Sequence, residues 1–165
     1  MRLHTTAQAP KEGQVQETPV PPEQRHEPTL DDYIHYLVNQ QYIYNLFESD
    51  ILIRPELSTT LAPFVNTGLE RTQALETDIQ YLMSTYDLSR PTPGQMGVSY
   101  GTTLKEIAEG GEESIPELMC HYYNHYFAHT AGGRMIGKQL SKALLDGVTL
   151  EFYKVSSRMR ICMNV

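Results

Sequence analysis

The chain has 165 residues, 40% of them hydrophobic and 20% charged, which suits one globular core with loose ends. Twenty acidic residues against thirteen basic give a net charge of −7, and no Lys/Arg stripe is present to neutralise a phosphate backbone, so no nucleic-acid partner is expected. No apolar run approaches the ~20 residues that span a bilayer, the N-terminus opens no signal-peptide apolar region, and Cys120 and Cys162 are too few for a disulfide scaffold; a soluble chain in a reducing compartment is expected.

Residues 1–9 form a short N-terminal piece, and residues 10–28 carry Pro10, Pro19, Pro21, Pro22 and Pro28 among Lys, Glu, Gln and Gly. That composition buries too little apolar surface to offset ordering, so it reads as a flexible linker. The body, residues 29–154, opens with a capping-box pattern at Thr29-Leu-Asp-Asp32. Apolar residues at Leu30, Tyr33, Ile34, Leu37, Val38, Tyr44 and Phe47 then predict a helix to about Ser49. Pro55 and Pro63 mark a connection. From Asn66, read as an N-cap, the spacing of Leu69, Thr72, Leu75, Ile79, Leu82 and Met83 predicts a second helix to Tyr86. Pro91-Thr-Pro-Gly94 is a loop, and Tyr100, Leu104, Ile107 and Ala108 predict a shorter helix ended by Gly110 and Gly111. A second capping box, Ser114-Ile-Pro-Glu117, starts a helix running to Leu145-Asp-Gly147, ~45 Å at ~1.5 Å per residue. A helix of that length needs a bundle to pack on. With no sustained strand alternation beyond an ambiguous stretch from Val148 to Val155, the fold class is all-α.

Gly132 and Gly133 interrupt this last helix just after His121, His125 and His129. Two interior glycines cost roughly 1–2 kcal/mol relative to alanine, so the absent side chains should serve something. Without Cβ atoms, a flat ligand can lie almost on the backbone. The histidines recur at i, i+4 and i+8, a spacing that suits either a metal ion or a cofactor face. There is no Glu after the first His, as a zinc-protease motif requires, and Cys120 lacks a glycine-rich elbow. Eleven tyrosines and no tryptophan give many apolar bodies with hydroxyl tips, suited to the wall of a half-polar cavity.

Six strings, in order, resemble one family. They are Met1-Arg-Leu-His4-Thr, Glu27-Pro-Thr29, Asn66-Thr-Gly-Leu-Glu-Arg71, Ala74-Leu-Glu-Thr-Asp-Ile79, Phe127-Ala-His-Thr-Ala-Gly-Gly-Arg-Met-Ile-Gly137 and Leu150-Glu-Phe-Tyr-Lys154. Together they are similar to the plastid, ferredoxin-dependent heme oxygenases of plants and algae. The resemblance implies a single-domain helical bundle that cleaves heme to biliverdin, carbon monoxide and ferrous iron. Heme would be both substrate and prosthetic group, with dioxygen and reduced ferredoxin as the other reactants. It makes His4 the axial ligand of the heme iron, with Gln8 one turn on as its partner where animal members carry a glutamate. Gly132 and Gly133 fall against the porphyrin face. His129 falls where animal members place an aspartate that acts through ordered water, Tyr44 belongs to the same water network, and Tyr123 lies near a heme propionate. Arg134, Lys138 and Lys142 are the basic residues read as a dock for the acidic ferredoxin. A monomer in the plastid stroma, without a membrane span, is expected.

Residues 155–165 do not resemble the family's continuation, so a C-terminally truncated or alternatively spliced form with an incomplete bundle is expected; the family's transit peptide is not seen, as mature processing or an incomplete gene model would each explain. Two further readings follow from the residues. One is an inactive member that binds heme or another tetrapyrrole. The other is a non-heme metal-binding protein using His121, His125 and His129.

Overall fold

The computed structural model describes residues 27–128 and 132–154. Its helices are α1 (Leu30–Ser49), α2 (Ser58–Leu61), α3 (Thr72–Tyr86), α4 (Gln95–Glu109), α5 (Ile115–Ala128) and α6 (Arg134–Leu144). No strand occurs among the described residues, so the all-α class holds, and the stretch after Val148 runs extended and then winds into a short 3-10 turn, Glu151–Tyr153.

Helix α1 starts where the sequence places it. The Thr29 hydroxyl accepts from the Asp32 amide at 3.1 Å, and the Asp32 carboxylate accepts from the Thr29 amide at 2.9 Å, so two otherwise unpaired amides are satisfied. The helix then buries Tyr33, Ile34, Leu37, Val38, Ile43, Tyr44, Leu46 and Phe47 on more than one side. A helix apolar around much of its circumference belongs inside a bundle, and α1 packs on both α3 and α4.

Close approach of α4 to α1 depends on small residues. Gly97, Gly101, Leu104 and Ala108 make the buried stripe of α4. A Cβ on Gly97 would stand 2.5 Å from Asn39 Oδ1, and one on Gly101 would stand 2.5 Å from the Tyr42 ring. Asn39 also anchors the start of α4, its Oδ1 accepting from the Gly94 amide at 2.7 Å.

The start of α3 departs from the sequence reading. Asn66 is not its N-cap: it has φ 58° in a turn before the helix, and α3 begins six residues later at Thr72. Glu70 takes the amides of Thr67 and Gly68 at 2.7 and 2.8 Å, which folds the segment into a loop. The cap comes from another helix instead. Glu48 of α1 accepts from the Arg71 and Thr72 amides at 2.7 and 3.2 Å, placing negative charge where the helix dipole favours it.

Elsewhere the structure adds detail to the sequence reading. The connection after α1 is wound into 3-10 turns at Ile51–Ile53 and Ala62–Phe64 around α2, because Ile51, Leu52, Leu57 and Leu61 are all buried. Among the described residues no capping bond joins Ser114 and Glu117; the Ser114 hydroxyl donates back to the Gly111 carbonyl at 2.7 Å, and α5 begins at Ile115 as expected. Of the expected long helix, the described residues hold two α-helical segments, α5 and α6, with π-type winding at Gly132 and Gly133 just ahead of α6; residues 129–131 lie outside the described residues. The end of α6 agrees with the sequence: Gly147 has φ 87° and its amide reaches back to the Ser141 carbonyl at 2.9 Å.

Candidate functional site

Tyr44 occupies the centre of the candidate site. It is 1% exposed, and its ring lies 4.5 Å from that of His125, 4.8 Å from Tyr126 and 5.8 Å from Phe152. Its hydroxyl donates to the His125 carbonyl at 3.1 Å. Burial pushes the Tyr44 hydroxyl well above the usual tyrosine range, against the opposing pull of the Arg71 charge. Tyr122 is raised by burial to about 12, and Tyr126 is raised further, again mainly by burial and then by the Glu48 carboxylate. These phenols stay neutral, so they can donate and relay hydrogen bonds but do not act as anionic bases.

A polar strut runs beneath this cluster. Tyr126 donates to Glu48 Oε1 at 3.2 Å, the same carboxylate that caps α3. The Arg71 side chain is buried, with one guanidinium nitrogen donating to the Glu70 carbonyl at 2.8 Å. Sequence reasoning missed Glu48, Arg71 and Tyr126. For Glu48 a signal existed, since it lies one helical turn after Tyr44 and shares its side of α1.

Gly132 and Gly133 precede α6. Among the described residues, nothing lies within 4 Å of where a Gly132 Cβ would stand. The backbone there is therefore open to an approaching plate, and π-type winding is itself a frequent mark of functional helix segments. On α5, Tyr123 and Phe127 are exposed and stacked on one another, 5.0 Å between ring centroids. An exposed aromatic pair thus stands on the helix that precedes the glycines. Arg134, Lys138 and Lys142 are all exposed along α6 at i, i+4 and i+8.

The structure thus brings Tyr44 onto α5, which also carries Tyr123, and leaves Gly132 open, with Gly133 partly buried beside it. His4, Gln8 and His129 lie outside the described residues. His121 accepts from or donates to the Tyr100 hydroxyl through Nδ1 at 2.9 Å, according to its tautomer. Among the described residues no group of three or more His, Cys, Asp or Glu side chains converges as a metal site, and no helix is long and apolar enough to cross a membrane.

The family model for heme oxygenase matches residues 17–159, and the chain belongs to the heme oxygenase family. It is 42% identical over 161 residues to heme oxygenase 1, chloroplastic, of Arabidopsis thaliana, covering 93% of this chain and 53% of that protein. To heme oxygenase 3, chloroplastic, of the same plant it is 40% identical over 168 residues, covering 100% of this chain and 56% of the relative. A more distant relative, the probable inactive heme oxygenase 2, chloroplastic, of Arabidopsis thaliana, is 36% identical over 130 residues, covering 79% of this chain and 42% of that protein. The chain spans about half the length of the curated relatives it matches.

Proposed function

We propose that this chain carries the heme-cleaving function of its family, converting heme to biliverdin, carbon monoxide and ferrous iron with dioxygen and electrons from reduced ferredoxin. The observation that carries this reading is the open backbone at Gly132, on a helix whose neighbour α5 is held by the buried Tyr44. When bound, heme supplies both the iron that activates dioxygen and the ring that is opened.

The chain's own residues supply position and protons. His4 is the proposed axial ligand, with Gln8 as its hydrogen-bond partner. Gly132 and Gly133 let the porphyrin face approach the backbone, and Tyr123 lies toward a propionate. Tyr44, neutral and directed at the α5 backbone, keeps α5 in place one turn before His129, and His129 holds the ordered water that delivers protons. Arg134, Lys138 and Lys142 form the basic face for ferredoxin. The protein acts as a monomer in the plastid stroma.

The test is to add hemin to the full chain, look for a Soret band, then supply oxygen with ferredoxin, its reductase and NADPH. Biliverdin absorption is the expected result. Heme binding without biliverdin would overturn the proposed activity in favour of an inactive tetrapyrrole-binding member, and absence of heme binding would overturn the reading altogether.

A further inference from the structure

Asp78, on α3, is 3% exposed and belongs to no group so far given a role. Its two carboxyl oxygens accept from consecutive backbone amides: Oδ1 from Glu151 at 2.8 Å and Oδ2 from Phe152 at 2.7 Å. Both amides belong to the 3-10 turn Glu151–Tyr153, whose own backbone bonds, Tyr153 to Leu150 and Lys154 to Glu151, stay within the turn and its flank. The Lys154–Glu151 ion pair is also local, and it is about half exposed, where such pairs contribute little. The carboxyl of Asp78 thus ties this turn to α3 through two hydrogen bonds.

The turn projects two side chains inward, one onto the candidate site and one onto α6. The Phe152 ring stands edge-on to Tyr44. The Tyr153 ring lies flat on Gly137 of α6, so close that a Cβ there would come within 2.6 Å of two ring carbons, and its hydroxyl accepts from Tyr33 of α1 at 3.3 Å. The turn is thus a wedge between α1, α3 and α6.

We propose that Asp78 is a positioning residue for the reaction: by pinning this turn, it holds Phe152 against Tyr44 and Tyr153 against Gly137, and so sets the glycine-led helix α6 relative to the Tyr44 hydroxyl. The inference rests on the preceding reading only for what the positioned groups do. Burial pushes the Asp78 carboxyl up to about 6, so ionising it inside the fold is unfavourable. A group kept at that cost is consistent with a tie that a solvent-facing cap could not replace. Either protonation state leaves oxygen lone pairs for the two amides.

The test compares the full chain with Asp78→Ala and with Leu57→Ala, a buried truncation in the connection after α1 chosen as a destabilising control. Heteronuclear NMR of the heme-free proteins reads the amides of Glu151, Phe152 and Gly137 and the ring of Tyr44. In Asp78→Ala, exchange protection of the Glu151 and Phe152 amides should fall about tenfold or more, since both lose a buried acceptor. The Gly137 and Tyr44 signals should shift as well. Leu57→Ala should lower the melting temperature without moving them, and Asp78→Asn, which keeps one acceptor, should lie between. If changes stop at residues 151–153, or if the control moves Gly137 and Tyr44 equally, the proposal is overturned. Should Asp78→Ala fail to fold, the Asp78→Asn spectra decide on the same criterion. Turnover in the same variants is the second readout: at matched folded fraction Asp78→Ala should be slower and Leu57→Ala should not. A wild-type chain without turnover would sink the functional reading and leave the NMR result standing.

Discussion

Gly137→Ala tests how tightly α6 is held. The added methyl would come 2.6 Å from Tyr153 Cδ1 and Cε1 and 2.7 Å from Cε2, against an ordinary carbon–carbon separation of about 3.5–4.0 Å. The ring would have to retreat by about 1 Å. It has little freedom to do so, because Tyr153 is buried, bonded to Tyr33, and carried on a turn whose backbone is tied to Asp78. Overpacking of this kind costs about 1–3 kcal/mol. Alanine recovers about 1 kcal/mol over glycine through helix propensity. With three ring atoms in conflict and no slack, the upper part of the overpacking range applies, and the expected net loss is about 1–2 kcal/mol. Urea denaturation followed by circular dichroism measures it, and Gly137→Ala combined with Tyr153→Leu should recover much of the loss. Unchanged or increased stability in the single variant would refute the claim that Tyr153 is pinned on α6.

Gly132→Ala should behave oppositely, because among the described residues its Cβ would meet nothing within 4 Å: the heme-free protein should be as stable or up to about 1 kcal/mol more stable, while heme affinity measured by Soret titration falls. Equal affinity would remove Gly132 from the porphyrin face. Asp78 gives a pH signature of definite sign. Its carboxyl is raised from 3.8 to about 6 by burial, so between those values the folded chain holds more protons than the unfolded one, and stability from this group is fully present below the unfolded value of 3.8 and is lost as pH rises through about 6. The displacement corresponds to roughly 3 kcal/mol. In urea titrations across that window, the stability of wild type relative to Asp78→Asn should therefore improve as pH is lowered; a difference that is flat or of opposite slope contradicts the buried environment. Tyr44→Phe removes the donor to the His125 carbonyl and should cost about 1 kcal/mol, measured by the same denaturation, with turnover altered more than heme affinity.

The parts of this fold that sequence reveals are those set by neighbours along the chain. Thr29 and Asp32 cap α1 across three residues, and the left-handed Gly147 ends α6, so both boundaries are legible. The start of α3 is not, because the group that caps it, Glu48, arrives from another helix and has no local signature. Ser114 fails as a cap for another reason: it is wound into the 3-10 turn Gly111–Ser114 that runs directly into α5, whereas an N-cap stands extended. The connection after Ser49 is marked by its prolines, but its winding into turns goes with the burial of Ile51, Leu57 and Leu61, a tertiary effect. In the site, Tyr44 and the glycine pair stood out by residue type and resemblance. Tyr126 and Asp78 did not, since what they do depends on contacts across 70 or more positions, and Arg71 did not, since its amide is met by Glu48 from 23 positions away rather than by any motif.

The central claim is that a porphyrin lies against the backbone at Gly132 and Gly133. A diamagnetic zinc protoporphyrin bound to the full chain reports this directly, because its ring current displaces the resonances of protons close to the plane. The account expects large upfield shifts at the α-protons of Gly132 and Gly133, with smaller ones at Tyr123. Shifts confined to the Tyr100 and His121 side of the bundle, with both glycines unmoved, would contradict it.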